Sequence, residues 1–322
     1  MEDTVVLLTG GQFFGAGSLS ILSSSEVFPS NGCSLPSLPQ PRRGHVLFAT
    51  ADQNPKIVTC GGIDQNDIVL APCPVFDPET QRWDADTMSP LFLPRVRSAA
   101  VTMESIGVYL IGGGGTYLIG GVWVNNENII DFFAQDHQQW MPLAVPVNMN
   151  SACAVPITKV SFLAIHEASI LEYQVDKTDP TSLNGWQEAS KWPRLQTRRT
   201  SWPGCSKIDE KVVIAGGQLV YGTYGISLRS TEVLDLSTRK LEYAGDLSAP
   251  RYGFHIVTIT EDGVNRVLAL AGSDGSLSSS HLNSVEEFDP ESLTWKPAPM
   301  SIVRRRSFFA AVALPRKLIC PI

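Results

Sequence analysis

The chain has 322 residues, of which 26 are Gly and 22 are Pro; 18% are charged, and the formal net charge is −7. The acidic balance excludes a dedicated nucleic-acid binder, which carries a basic excess, and the apolar content excludes a disordered chain. No apolar run approaches the roughly 18 residues that cross a bilayer, and Gly and Pro without a helix-rich stretch indicate short strands broken by turns.

The chain opens on the acidic Met1-Glu2-Asp3 and enters a strand at once, unlike a secretory leader with its basic start. Its first apolar run, Val5-Val6-Leu7-Leu8-Thr9, ends in the pair Gly10-Gly11. The same ending returns at Gly61-Gly62, Gly112-Gly113 and Gly216-Gly217, and more weakly at Gly272-Ser273. The spacing is about 50 residues, a period that signals a repeat architecture. The expected copy near 165 is Val160 to Glu167, which keeps the apolar run and loses the glycines. Glycine suits these strand ends because it permits close approach and backbone freedom.

After each run comes a large residue followed seven positions later by Trp or Leu: Phe76 to Trp83, Phe133 to Trp140, Leu234 to Leu241 and Phe288 to Trp295. Asp-Pro within two of these spacings starts a tight turn, so each spacing is a hairpin. Trp83, Trp140 and Trp295 are expected to pack between repeats. The fourth copy carries an insertion, with Tyr173 reaching Trp186. A basic signature then leads into a strand of small residues: Arg42-Arg43, Arg95-Val96-Arg97, Arg198-Arg199, Arg251 and Arg304-Arg305-Arg306.

Four strands per repeat, taken six times, predict a radial array of four-stranded sheets. They are labelled a (innermost), b (ending at the Gly pair), c and d. The repeats are approximately 1–43, 44–96, 97–149, 150–199, 200–252 and 253–306, forming one domain over 1–322. The first repeat lacks a strand a, and 307–314 is a strand a with no repeat after it. Pairing the two closes the ring and removes the open edges.

The Gly pairs, the aromatic-to-Trp spacing, the Asp-Pro turns and the Pro-Arg strand starts resemble the kelch repeat, and the likeness runs over nearly the whole chain. It implies an all-β, six-bladed propeller that acts as a protein-interaction module rather than an enzyme. Many kelch propellers are substrate receptors of ubiquitin ligases beside BTB and BACK domains, for which this chain leaves no room; others bind actin.

Strand parity places the b–c and d–a loops on one face, called X, and the a–b and c–d turns on face Y. Eleven arginines fall in d–a connections: Arg42, Arg43, Arg95, Arg97, Arg194, Arg198, Arg199, Arg251, Arg304, Arg305 and Arg306. Acidic residues such as Asp77, Glu79, Asp289 and Glu291 gather on face Y. The b–c loops of face X add Phe13, Phe14, Tyr117, Trp123, Tyr221 and Tyr224. Arginine and large aromatics are typical of binding hot spots, and guanidinium groups favour carboxylate or phosphate. Arg43, Arg97, Arg199, Arg251, Arg305 and Arg306 with the tyrosines and Trp123 are therefore expected to hold an acidic or phosphorylated peptide. The competing reading makes the first arginine of each connection a bridge between blades.

No cofactor or metal is expected. The histidines 45, 137, 166, 255 and 281 form no metal-ligand spacing. Gly112 to Gly115 lacks the Lys-Ser/Thr of a phosphate loop and reads as an extended hairpin echoed by Gly120-Gly121. Galactose oxidases and sialic-acid mutarotases use kelch-like propellers for catalysis. The second class is the alternative function, with His166 and Glu167 as its candidate groups. The dispersed cysteines 33, 60, 73, 153, 205 and 320 read as buried free thiols, with one or two bridges as the alternative. With them goes a reducing, cytoplasmic setting for a monomer.

Overall fold

Short runs of β-branched and aromatic residues, each stopped by glycine or an Asx turn, leave the chain few options besides antiparallel strands. The computed structural model describes residues 2–320 apart from 16, 30–32, 34, 51, 53, 85–87, 120–121, 126–128, 135–138, 146–148, 223 and 277–280. At 116–119, 122–125, 144 and 183 it describes the backbone alone. Gly120, Gly121 and His137 thus lie outside the described residues.

Six antiparallel sheets form a six-bladed β-propeller. Blade 2 runs Val46–Ala49, Ile57–Cys60, Val75–Asp77 and Arg82–Asp84 from axis to rim. Blade 3 is Val96–Met103, Gly107–Gly114, Ile129–Ala134 and Gln139–Ala144. Blade 5 is Gly204–Ile208, Lys211–Ala215, Thr231–Asp235 and Lys240–Ala244, and blade 6 is His255–Glu261, Val264–Leu270, Val285–Asp289 and Thr294–Pro297. Blade 1 is closed by the C-terminal strand: Ala310–Pro315 pairs with Thr4–Thr9, which pairs with Ser25–Phe28.

Two blades fall short of the expected four strands among the described residues. Blade 1 shows three. Blade 4 has Cys153–Thr158, Ser161–His166 and Ser169–Gln174; its inserted segment supplies only a bridge between Tyr173 and Trp186, with one short 3-10 turn before Trp186 and one after it. Blades 1, 3 and 5 carry an extra hairpin in the b–c loop: Gln12–Gly15 with Ser18–Ile21, Thr116–Ile119 with Val122–Asn125, and Gln218–Tyr221 with Tyr224–Ser227.

The core lies between blades. Phe48 and Val58 of blade 2 pack with Val108, Leu110 and Trp140 of blade 3. Indole N–H groups reach back to the preceding blade: Trp83 donates to the Pro36 carbonyl, Trp140 to that of Ser89, and Trp295 to Thr231 Oγ1.

The cysteines depart from expectation. All six pair, as Cys33–Cys320, Cys60–Cys73 and Cys153–Cys205. The sequence places the members 287, 13 and 52 residues apart; Cys60 and Cys73 meet within blade 2, and the ring brings the other two pairs together. Apolar flanks signalled burial correctly and said nothing of pairing. The inference of a reducing, cytoplasmic setting rested on free thiols and loses that support. Among the described residues no helix is long and apolar enough to cross a membrane.

Candidate functional site

The arginines of face X divide into two sets. Arg42, Arg95, Arg199, Arg251 and Arg306 are fully buried. Each uses Nη1 to donate to the main-chain carbonyl of the first Gly-pair position of the blade it leads into: Gly61, Gly112, Gly216, Ala271 and Gly10, at 2.7–3.1 Å. Four also meet a carboxylate on strand c: Arg95 with Asp131 (2.9 Å), Arg199 with Glu232 (3.2 Å), Arg251 with Glu286 (2.8 Å) and Arg306 with Glu26 (3.1 Å).

The second Gly-pair position works the other way. The N–H groups of Gly11, Gly62, Gly217 and Gly272 donate to the carbonyls of Arg42, Arg95, Arg251 and Arg306 at the start of the following blade. One arginine therefore staples two blades, by its backbone to one and its guanidinium to the next. Glycine is needed where these chains meet: a Cβ on Gly112 would lie 1.9 Å from the Met149 carbonyl oxygen.

Arg199, Arg251 and Arg306, expected to face a partner, are thus withdrawn from the surface, at 0%, 0% and 1% exposure. Burial removes water from the guanidinium, so each must find its hydrogen bonds within the fold. Burial also lowers the pKa of all three, that of Arg306 to about 10. Arg42 is likewise pushed down to about 10 by burial; by register Pro74 stands where blade 3 has Asp131. Blade 4 breaks the pattern again. Met149 replaces the arginine and His166-Glu167 replace the Gly pair, while Glu172 on strand c is taken up by Lys191 Nζ (2.6 Å) and Trp192 Nε1 (3.0 Å).

The second set remains at the surface. Arg43 pairs with Asp67 (2.9 Å), Arg198 with Glu167 (2.9 Å) and Arg229 with Asp246 (2.9 Å). Arg97 is exposed, and its guanidinium carbon lies 4.5 Å from the centre of the Trp202 ring. Arg304 and Arg305 are exposed.

Trp202 stacks edge-on against Phe308 at 4.7 Å, and Tyr252 lies 5.5 Å from Phe308. Trp202, Phe308 and Arg97 cap the face-X mouth of an axial cavity of about 200 Å³. Its wall includes His45, His255, Ser98 and the Cys153–Cys205 disulfide. Gly44, Arg97, Ser151, Trp202, Gly253 and Phe308 all have φ between +49° and +71° where their blades enter strand a. Four of the six are not glycine, and non-glycine residues in this region carry strain that the surrounding structure must hold. Trp202, Tyr252 and Phe308 escaped sequence reasoning. The available signal was the glycine two places after Arg42 and Arg251, which marks the left-handed position that Arg97 and Phe308 fill elsewhere.

His166 and Glu167 are not in that cavity wall. Glu167 is held by both Nε and Nη2 of Arg198 (3.1 and 2.9 Å), which keeps its carboxyl below the usual range. The pair therefore does not form the channel acid or base expected of a mutarotase. Among the described residues no cluster of three His, Cys, Asp or Glu side chains is placed to hold a metal.

Tyr221 and Tyr224 face each other at the tip of the blade 5 hairpin, 59% and 79% exposed. Tyr117 and Trp123 sit on the paired strands of the blade 3 hairpin. Ten of the twelve most exposed large apolar side chains among the described residues are in b–c or d–a loops: Phe14, Leu19, Ile68, Phe92, Val220, Tyr221, Tyr224, Ile226, Met300 and Val303. Face X is where this protein shows apolar surface to solvent.

A six-bladed ring stapled by buried arginines, with an apolar and arginine-bearing loop face, defines a β-propeller with an interaction surface at one end. Residues 265–300, which span strands b to d of blade 6, match the Kelch motif family. Together, the match and the six-bladed architecture support a kelch-repeat propeller. A comparison with curated proteins found no match.

Proposed function

We propose that the protein is an interaction module that presents face X to an acidic or phosphorylated segment of a partner protein. The observation that carries the reading is the concentration on face X of exposed apolar side chains together with the solvent-facing arginines. Contiguous apolar surface beside hydrogen-bonding cations marks protein-binding sites, and the kelch propeller is commonly such a module. Among the described residues the outermost strand of each blade is short, at most six residues, which supports a monomer.

The test is affinity capture from the native source with wild-type protein and the Arg97→Glu/Arg305→Glu variant. A partner retained by wild type and lost from the variant is expected; equal retention overturns the reading. Recovery of a cullin-type ligase or of actin among the lost proteins would distinguish the two services such a module performs.

A further inference from the structure

We infer that the ligand's acidic segment lies in the groove between the blade 1 hairpin and the connection from blade 6, an assignment that rests on the interaction reading above. The groove has a volume of about 450 Å³ and is lined by Phe13, Ser20, Val303, Arg304 and Arg305. Phe13 and Ser20 are cross-strand partners, so they share one face of the hairpin. Val303 stands opposite at 78% exposure, which gives the groove an apolar wall on each side of its cations.

Two adjacent exposed guanidinium groups mark this place within face X. Arg43, Arg198 and Arg229 each have an intramolecular carboxylate. Glu26, the carboxylate beside the Arg304 backbone, is already engaged. It accepts from the Arg306 guanidinium and from the backbone N–H groups of Val303 and Arg304. Among the described residues neither the Arg304 nor the Arg305 side chain has an ion pair. Two adjacent exposed guanidinium groups flanked by apolar walls complement a segment in which glutamate or aspartate alternates with leucine or phenylalanine. The carboxylates would take paired hydrogen bonds from the arginines, and the apolar residues would cover Phe13 and Val303.

The experiment uses an array of acidic–apolar peptides, with glutamine-for-glutamate and phosphoserine-for-glutamate copies, probed with the full chain. The best peptide is then measured by fluorescence anisotropy against Arg304→Glu/Arg305→Glu and against Arg43→Glu/Arg97→Glu, with thermal denaturation as the folding control. All four side chains reach solvent, so both variants should fold. The expected result is binding that needs the glutamates, falls roughly tenfold or more in the Arg304/Arg305 variant, and persists in the other. Loss only in the Arg43/Arg97 variant overturns the groove and leaves the face-X reading standing. Preference for the phosphoserine copies overturns the carboxylate assignment. Failure of every acidic peptide to bind wild type overturns both.

Discussion

A buried guanidinium is tolerable only while its partners remain, and the five arginine staples do not all have the same partners. Arg251 donates to the carbonyls of Ala271 and Ser284 and to Glu286, itself buried. Removing it strands a charge as well as two carbonyls. Arg251→Met should therefore cost about 3–5 kcal/mol, and adding Glu286→Leu should recover part of the loss by removing the orphaned carboxylate. Arg42 donates to the carbonyls of Gly61 and Pro72 and is not paired with a strand-c carboxylate. Arg42→Met should cost about 1–3 kcal/mol, the penalty of unsatisfied acceptors. Urea denaturation of the wild type and the three variants checks the order; equal costs for Arg42→Met and Arg251→Met would refute the distinction.

Strand b must end where two chains nearly touch. Gly112 combines φ of +65° with the close approach to Met149, whereas a Cβ on Gly263, at φ +76°, would meet nothing within 4 Å. Gly112→Ala should cost about 3 kcal/mol or more, from backbone strain plus overpacking. Gly263→Ala should cost about 1 kcal/mol, for the left-handed backbone alone. Thermal denaturation of the two variants measures the difference. The Gly pairs and the arginines were visible in the sequence as one period. Their partnership was not, although Gly61 accepts from Arg42 only 19 residues upstream. It follows from wrapping strands a and b antiparallel, which brings the start of one beside the end of the other. The reading that makes the first arginine of a connection the bridge between blades holds at Arg42, Arg95 and Arg251. It fails at Arg198-Arg199 and at Arg304 to Arg306, where the last arginine is the buried one.

At the scale of the whole ring, closure is both non-covalent and covalent. Ala310–Pro315 completes blade 1, and Cys320 just beyond it bonds Cys33 on the far side of that blade. The axis adds a pH dependence. Burial holds His45 well below its usual range and lowers His255 to about 4; Arg42 and Arg306 add to the effect on His45. His45 bonds Thr9, and His255 the Phe309 carbonyl, both as neutral rings. An unfolded histidine protonates near 6.5, so stability is full above that pH and declines as pH falls toward about 4, where folded His255 protonates and its contribution levels off. The urea midpoint should fall across that window, and His255→Gln should flatten part of the slope. An unchanged slope would show that carboxylates alone set it.

The sequence by itself determined the propeller, its six repeats and the strand that closes it. Those follow from a period and from strand alternation, which local residue chemistry enforces. It also determined which loops share a face, since antiparallel order fixes parity. Only the tertiary structure decided which arginines reach solvent, that the cysteines are paired, and that Trp202 and Phe308 cap the axis. Each of these depends on how strands and blades pack in space, and a one-residue offset between neighbouring arginines turns one inward and leaves the other outside.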